Sequence, residues 1–273
     1  MDLDLGLREQ CAALVERSGS EAPFGTYIVA STDPAAEIGR EVERQVFGEF
    51  FGNSPEMLAE EYAPFEASSI FLCVIDQRRL VPAGVSRSIV PSDAGFKSLH
   101  DIPRVWGANA DELIARSESG LDLGKCRDIA TLATAADYRG AGTEGLVSLA
   151  LYQAIIMSSL ATHAPWLVAV MDVAVIDLLS ERIGSPFSRY PDVSPERYLD
   201  SPASLPVYVD LPGYGERLAA ADANMHSILF EGSGLEAAVR TPDWAAEGAE
   251  AIAALDVPAQ TDSVMVDRAA GRS

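Results

Sequence analysis

The sequence contains few residues of the kinds that build metal sites and thiol chemistry. It has three cysteines and three histidines in 273 residues. Cys11, Cys73 and Cys126 are far apart and form no CxxC pair, and the histidines have no HExxH spacing. An odd number of scattered cysteines is typical of reduced thiols. We therefore expect no metal site and no cysteine nucleophile.

Long apolar runs and basic residues are also scarce. No uninterrupted apolar run approaches the roughly 20 residues that span a bilayer, and the acidic start of the chain lacks the order of a signal peptide. Twenty basic residues face 41 acidic ones, for a formal net charge of −21. Such a surface repels phosphate backbones and anionic membranes. We expect a soluble cytoplasmic protein with no membrane partner and no general affinity for nucleic acid.

Several catalytic motifs are missing as well. There is no G-x-S-x-G elbow and no Walker pattern, which argues against a serine hydrolase and a P-loop enzyme. With 48% hydrophobic and 22% charged residues, the composition is that of a globular protein. The chain is long enough to bury a substantial core.

The apolar pattern predicts an α/β, layered domain. A β-rich segment at 24–31 precedes an amphipathic helix at 35–51, and two apolar runs at 69–76 and 81–90 read as antiparallel strands. Continued along the chain, the order is strand, helix, helix, two strands, helix, strand, helix, strand, helix, two strands and added helices. The later elements include a helix that starts at Thr143, a strand at 166–171 and a helix over 216–230. We divide the chain into an N-terminal extension, a main domain and a C-terminal helical extension with a frayed tail: residues 1–22, 23–212 and 213–273.

The stretch 127–145 predicts a strand, a glycine-bearing turn and the start of a helix. Small residues in such a turn let backbone N–H groups and the helix N-terminus approach a pyrophosphate. Arg139-Gly140-Ala141-Gly142 resembles the acyl-CoA-binding motif of the GNAT acyltransferase superfamily. Glu144 occupies the last small-residue position of that motif. Either Gly145 serves as the last small residue, with the motif shifted by one position, or the donor differs from ordinary CoA.

Residues 24–211 are similar to one branch, the acyl-homoserine lactone synthases and the long-chain N-acyl amino acid synthases. The similar segments are 44–47, 83–91 and 166–211. The resemblance implies a mixed, mostly antiparallel sheet flanked by helices. It also implies an N-acyltransferase that joins the acyl group of acyl-CoA or acyl carrier protein to a small amine, in specialised or signalling metabolism. Asp128 and Thr131 depart from the Glu and Arg common in that branch, and Ser180 stands where GNAT enzymes often carry a tyrosine acid, so lactone synthesis in particular is not expected.

The resemblance assigns roles to individual residues. Asp128 and Glu144 are candidate bases, and Tyr208 is a candidate acid. The donor would be bound by the central strand and the turn after it, at Leu132, Ala133, Thr134, Arg139, Gly140, Ala141, Gly142 and Thr143. The acceptor or acyl chain would meet Arg87, Phe47 and Trp106. Each of these residues also has a plainer interpretation as an ordinary strand, surface or core residue.

Two alternatives stay open. Some GNAT-fold proteins take the acyl group from aminoacyl-tRNA, and a basic groove of Arg127, Arg139, Arg182 and Arg189 would be needed to overcome the acidic surface. A catalytically silent GNAT-like protein used for ligand sensing or protein interaction is the second. Under either alternative, the C-terminal helices at 213–257 would cover the acceptor side or form a homodimer contact.

Overall fold

The computed structural model describes residues 5–139 and 145–257. Within these ranges nine strands form one sheet. They are β1 Phe24–Ala30, β2 Ser69–Asp76, β3 Val81–Ile89, β4 Cys126–Thr134, β5 Trp166–Asp172, β6 Ser188–Arg189, β7 Glu196–Tyr198, β8 Ser201–Asp210 and β9 Val239–Arg240. The helices are α1 Leu5–Ser18, α2 Ala36–Phe51, α3 Pro55–Tyr62, α4 Lys97–Trp106, α5 Ala110–Ser117, α6 Leu146–Ala161, α7 Val173–Ile183, α8 Leu211–Ala221, α9 Ala223–Phe230 and α10 Trp244–Ala253.

The sheet is mixed and mostly antiparallel. Its strand order is β6-β8-β5-β4-β3-β2-β1-β9, and β7 pairs with β8 off this path. The β4–β5 and β1–β9 pairs are parallel, and the other pairs are antiparallel. The predicted fold class, a layered and mostly antiparallel sheet flanked by helices, is confirmed.

Helices cover both faces of the sheet, which explains the continuous apolar run of β2. Every residue of β2 is buried, because successive side chains point to opposite faces and both faces carry helices. Phe71 and Cys73 pack with α1 and α2, while Val74 packs with α6. We call the first side the α2 face and the second the α6 face. A burial pattern of this kind is typical of a strand at the centre of a layered domain.

The structure differs from the predicted elements mainly after residue 190. The helix predicted over 216–230 is two helices, because Asp222 ends α8 and its side chain caps α9 by accepting from the Met225 N–H at 3.0 Å. The strands β7 and β9 were not predicted, since segments of two or three residues carry no periodic signal. Helix α6 is described from Leu146, so the predicted start at Thr143 lies outside the described residues.

The terminal segments pack against the same sheet. Helix α1 contributes Leu7, Cys11 and Leu14 to the core on the α2 face, and β9 pairs with β1 at the sheet edge. The division at residues 22 and 212 stays a prediction. None of the helices in 5–139 and 145–257 is both long and apolar enough to cross a membrane.

Candidate active site

A V-shaped cleft opens between the two central parallel strands. β4 and β5 pair only at Cys126–Trp166, Arg127–Leu167 and Asp128–Val168. Beyond Asp128, β4 stays paired with β3 to Thr134, and β5 stays paired with β8 to Asp172. The two strands therefore diverge toward their C-terminal ends, and no strand within 5–139 or 145–257 fills the gap between them. In parallel α/β arrangements, ligands bind at such openings beyond the carboxyl ends of strands.

On the α6 face the cleft leads into an entirely apolar cavity. Its empty volume, including space open to solvent, is about 570 Å³. The walls come from the diverging strands, from α6 and α7, and from β8 and α8. Representative lining residues are Leu132, Ile156, Ala169, Leu179, Val207 and Tyr214. A cavity without polar wall atoms suits a hydrocarbon chain and gives no partner to a charged ligand.

On the α2 face the same cleft opens into a second cavity, which we call the mouth. Its lining combines Phe47 and Phe51 of α2 with polar side chains, among them Tyr62, Thr131, Asp172, Tyr198, Ser201 and Ser204. The mouth and the apolar cavity share Ile129, Leu132 and Met171 as wall residues. The cleft is therefore polar where it opens on the α2 face and apolar where it passes through the sheet.

A β-bulge places free backbone donors along the cleft. The β3–β4 register shifts between Arg87 and Ser88, which pair with Thr131 and Ile129, so Ala130 is the extra residue. The N–H of Ala135 donates to the Ala83 carbonyl at 2.9 Å. Since bonded and non-bonded pairs alternate along an antiparallel ladder, the N–H groups of Leu132 and Thr134 point away from β3, into the opening left by β5.

Buried side chains on the α2 face hold the bulge. The Tyr62 hydroxyl donates to the Ala130 carbonyl at 3.1 Å, and the Thr131 hydroxyl donates to Glu43 at 2.7 Å. Glu43 in turn receives two bonds from Arg87, at 2.8 and 2.7 Å. Burial raises the pKa of Tyr62, and the nearby Glu43 carboxylate adds to the shift, so its hydroxyl keeps its proton.

The first turn of α6 lies beside the end of β4. The Thr134 and Ser148 hydroxyls are 3.3 Å apart. Gly145, with φ of 77°, is the N-cap residue of this helix and has no side chain with which to cap it. A Cβ added at Gly145 would meet nothing within 4 Å. Backbone N–H groups at a helix N-terminus favour an anionic ligand.

Comparison with solved structures finds similar folds at low identity. FeeM, an N-acyl amino acid synthase from uncultured soil microbes, has a TM-score of 0.50 and 16% identity over 74% of this chain and 97% of FeeM. BjaI, a CoA-dependent acyl-homoserine lactone synthase, has a TM-score of 0.44 and 15% identity over 84% and 98%. The acyl-homoserine lactone synthase LasI has a TM-score of 0.47 and 13% identity over 77% and 96%. No family model and no curated protein matches the sequence.

The chain has a GNAT-like fold. The alignment covers 97% of FeeM at a TM-score of 0.50, which supports this fold assignment. This confirms the resemblance that the strand, turn and helix at 127–145 suggested.

Within the GNAT fold, Asp128 lies at the closed end of the cleft rather than in its walls. It is fully buried, and its carboxylate accepts from the Ser98 N–H at 2.7 Å and the Ser98 hydroxyl at 2.6 Å. Burial raises the pKa of Asp128 to about 6, although both bonds from Ser98 oppose the shift. These contacts place a carboxylate at the N-terminus of α4, where the helix dipole favours it. A catalytic role for Asp128 stays a prediction.

The predicted acceptor and acid residues are spread over the α2 face. Arg87 is 2% exposed and lies between the rings of Tyr62 and Phe71, at 4.3 and 4.5 Å. Its guanidinium is bonded to two carboxylates of the protein itself, Glu43 and Glu66. Burial lowers the pKa of Arg87, and the attraction of these carboxylates more than offsets it, so the net shift is upward.

The three predicted aromatic residues differ in their distance from the cleft. Phe47 lines the mouth. Trp106 donates to the Ser194 carbonyl at 3.0 Å and packs on Tyr198. Tyr198 lines the mouth and Trp106 lies behind it. Tyr208 packs against Tyr190 with ring centroids 5.1 Å apart, and it belongs to neither cavity wall. An acid role for Tyr208 stays a prediction without support from the cleft geometry.

The predicted donor-binding residues are brought together only in part. Leu132 lines both cavities, while the Ala133 side chain packs with the core on the α2 face. Arg139 donates to the Thr134 carbonyl at 2.5 Å, and its guanidinium lies 4.3 Å from the Phe50 ring centroid. Five predicted residues lie outside the described residues: Gly140, Ala141, Gly142, Thr143 and Glu144. Their roles stay predictions.

The mouth contains polar residues that the sequence did not single out. Tyr198 accepts from Lys97 at 2.8 Å and donates to Asp101 at 2.6 Å. The two residues after it, Leu199 and Asp200, form a tight hairpin turn with φ of 43° and 64°, which is strained for residues other than glycine. Asp172 ends β5, directly before α7. An Asp between a strand and a helix is a typical helix cap, and this was the sequence signal that could have drawn attention to it.

No cluster of three or more His, Cys, Asp and Glu side chains suited to a metal ion occurs in the described ranges. Cys11, Cys73 and Cys126 are all buried and unpaired. Burial raises the pKa of the Cys11 thiol to about 12, which leaves the thiolate that acts as a nucleophile unpopulated at neutral pH.

Proposed function

We propose that the protein is an N-acyltransferase that moves an apolar acyl group from a thioester to a small amine. The observation that carries this proposal is the cleft between β4 and β5, which joins a polar mouth to an apolar cavity. The donor is acyl-CoA or acyl carrier protein, and the setting is specialised or signalling metabolism. FeeM, named an N-acyl amino acid synthase, performs a reaction of this class.

The thioester would enter with its phosphate-bearing arm at the N-terminus of α6. The backbone N–H groups of this helix N-terminus suit a phosphate. The N–H groups of Leu132 and Thr134 then meet the carbonyl oxygens of the donor along the cleft. One of these donors, placed at the thioester carbonyl, also stabilises the oxyanion that forms during attack.

The acyl chain would occupy the apolar cavity on the α6 face. Each methylene group buried there contributes about 0.8 kcal/mol. A two-carbon acetyl group leaves most of this cavity empty. We therefore expect a donor with a chain of eight carbons or more to be used faster than acetyl-CoA.

The reaction itself needs positioning and one proton transfer. The amine nitrogen forms a bond to the thioester carbonyl carbon, the C–S bond breaks, and the thiolate leaves. The nitrogen loses a proton, which the departing sulfur or a base takes up, so the products are an amide and a free thiol. Holding both reactants in one cleft supplies much of the rate gain.

The aminoacyl-tRNA alternative has less support in the geometry. Arg127 lies near the start of the nine-residue strand β4, while Arg139 donates to the carbonyl of Thr134 at its end. About 23 Å of extended strand, at 3.3 Å per residue, lies between these two points. Arg127 is buried, and burial lowers its pKa to about 10. These residues therefore do not line one groove. A homodimer through the C-terminal helices stays a prediction.

The test is a transfer assay with decanoyl-CoA and acetyl-CoA on the full chain. Amide products are identified by mass spectrometry and thiol release is followed with a thiol reagent. The variant Ala169→Phe fills the apolar cavity from β5. Because it displaces two or three methylene groups, decanoyl transfer should fall roughly 10- to 60-fold while acetyl transfer changes little. Ala115→Phe, at an exposed position of α5, is the matched control.

Donor binding decides between an enzyme and a silent protein. Calorimetry with decanoyl-CoA, CoA and acyl carrier protein should show heat for at least one thioester form. If none of them gives heat and no amide product forms, the acyltransferase proposal is wrong. That result would favour a catalytically silent protein used for ligand sensing or protein interaction.

A further inference from the structure

The mouth of the cleft has a one-sided charge. Among its described lining residues there is no Lys, Arg or His, and Asp172 is the one Asp or Glu. The remaining lining is aromatic, aliphatic or hydroxyl-bearing. An acceptor held in the mouth therefore meets a negative charge and no positive one.

The carboxylate of Asp172 is held in a fixed orientation at the end of β5. One oxygen accepts from the Ala174 N–H at 2.7 Å, so Asp172 caps α7. The other oxygen accepts from the Ser201 hydroxyl at 2.5 Å. Ser201 is oriented by Ser204, which donates to it at 2.9 Å. A carboxylate oxygen accepts about two bonds, so each retains capacity for a further donor.

Two basic residues that contact lining residues of the mouth, Arg87 at Tyr62 and Lys97 at Tyr198, are already paired with protein carboxylates. Arg87 is bonded to Glu43 and Glu66. Lys97 is 2% exposed and donates to Glu61, to Asp101 and to the Tyr198 hydroxyl. A carboxylate on the acceptor would thus enter the mouth without a counter-ion, and desolvating an unpaired charge is costly.

We propose that Asp172 binds the ammonium group of the acceptor, which releases one proton to solvent to become the attacking amine, and that the acceptor is an amine without a carboxylate. This inference rests on the proposed acyltransferase function and names its acceptor class. The aromatic rings of Phe47, Phe51 and Tyr62 favour an apolar body next to the cation. The net charge of −21 attracts cationic ligands to the protein.

The experiment compares phenylethylamine with phenylalanine, which differ by one carboxylate. Binding of each to the full chain is measured by calorimetry in the presence of CoA, and KM and kcat are measured with decanoyl-CoA as donor. Phenylethylamine should bind more tightly than phenylalanine by about tenfold or more.

The variant Asp172→Asn removes the charge and keeps a side chain that caps α7 well. It should weaken phenylethylamine binding about 10- to 100-fold, with the change in KM rather than in kcat, and leave the KM for decanoyl-CoA unaltered. Asp177→Asn, an exposed carboxylate on the same helix, changes the net charge equally and should have no effect.

Three results would overturn the inference: equal or tighter binding of phenylalanine, no binding of either compound, or equal behaviour of Asp172→Asn and Asp177→Asn. Decanoyl-CoA binding and thiol release separate this failure from failure of the acyltransferase proposal, because neither depends on which amine is preferred. A chain that neither binds nor turns over any thioester overturns both.

Discussion

Replacing Arg87 with methionine removes the centre of the buried ionic network under the bulged strand. Arg87 and Glu43 are 2% and 3% exposed, and two bonds of 2.8 and 2.7 Å join them. After Arg87→Met, Glu43 stays buried with only the Thr131 hydroxyl as a donor among these contacts. Removing one partner of a buried ion pair lowers the free energy of unfolding by about 3–5 kcal/mol, because the remaining charge is uncompensated.

A second substitution separates the charge effect from the loss of packing. Glu43→Gln in the Arg87→Met background removes the uncompensated charge, and methionine still packs between the rings of Tyr62 and Phe71. Neutral side chains of similar volume replace a buried pair at little loss. The double variant should therefore recover about 2 kcal/mol or more relative to Arg87→Met.

Urea unfolding of the wild type, both single variants and the double variant measures this coupling. Arg116→Met is the control, since the Arg116–Asp192 pair is 51% and 81% exposed and such pairs contribute about 0–1 kcal/mol. If Arg87→Met changed stability by less than about 1 kcal/mol but raised the KM of the amine, Arg87 would be an acceptor-binding residue and the structural reasoning would be refuted.

Two further predictions concern pH and packing. Asp128 has its pKa raised by burial from 3.8 to about 6, so its contribution to stability is full below the unfolded pKa and is lost as pH rises through about 6. Urea unfolding of Asp128→Asn should show its penalty relative to wild type shrinking by up to about 3 kcal/mol between pH 4 and pH 7.5; a constant difference would contradict the shift. Gly39→Ala should destabilise by about 1–3 kcal/mol, because the new Cβ would lie 2.4 Å from Phe71. Gly48→Ala in the same helix, with its nearest contact at 3.5 Å, should stabilise by up to about 1 kcal/mol in thermal unfolding, and equal effects of the two would refute the packing argument.

Local patterns predicted most elements of this fold. Helix α2 and strands β2, β3 and β5 lie within a residue or two of their predicted bounds, because periodicities of 3.6 and 2 are properties of short segments. The two short strands were missed for the same reason, since three residues contain no period. The helix predicted over 216–230 was wrong as one helix, because the capping preference of Asp222 competes with helix continuation.

The candidate site was harder to predict than the elements that carry it. Of the residues singled out from the sequence, Phe47 and Leu132 line the cleft, whereas Asp128 and Tyr208 line neither of its two cavities. Tyr198 and Asp172 carry no local motif beyond a tight turn and a helix cap. They reach the mouth because β8 places Ser201 and Ser204 beside the end of β5.

The sequence by itself determined the acidic surface, the order of strands and helices, and the small-residue turn that suggested the GNAT fold. These follow from composition and from interactions within a few residues. Tertiary structure alone decided where β4 bulges, where β5 separates from it, and which charges the cleft contains. The bond between Tyr62 and Ala130 spans 68 residues, and the bond between Arg87 and Glu43 spans 44. Contacts of this range depend on how the whole sheet pairs, so no local pattern specifies them.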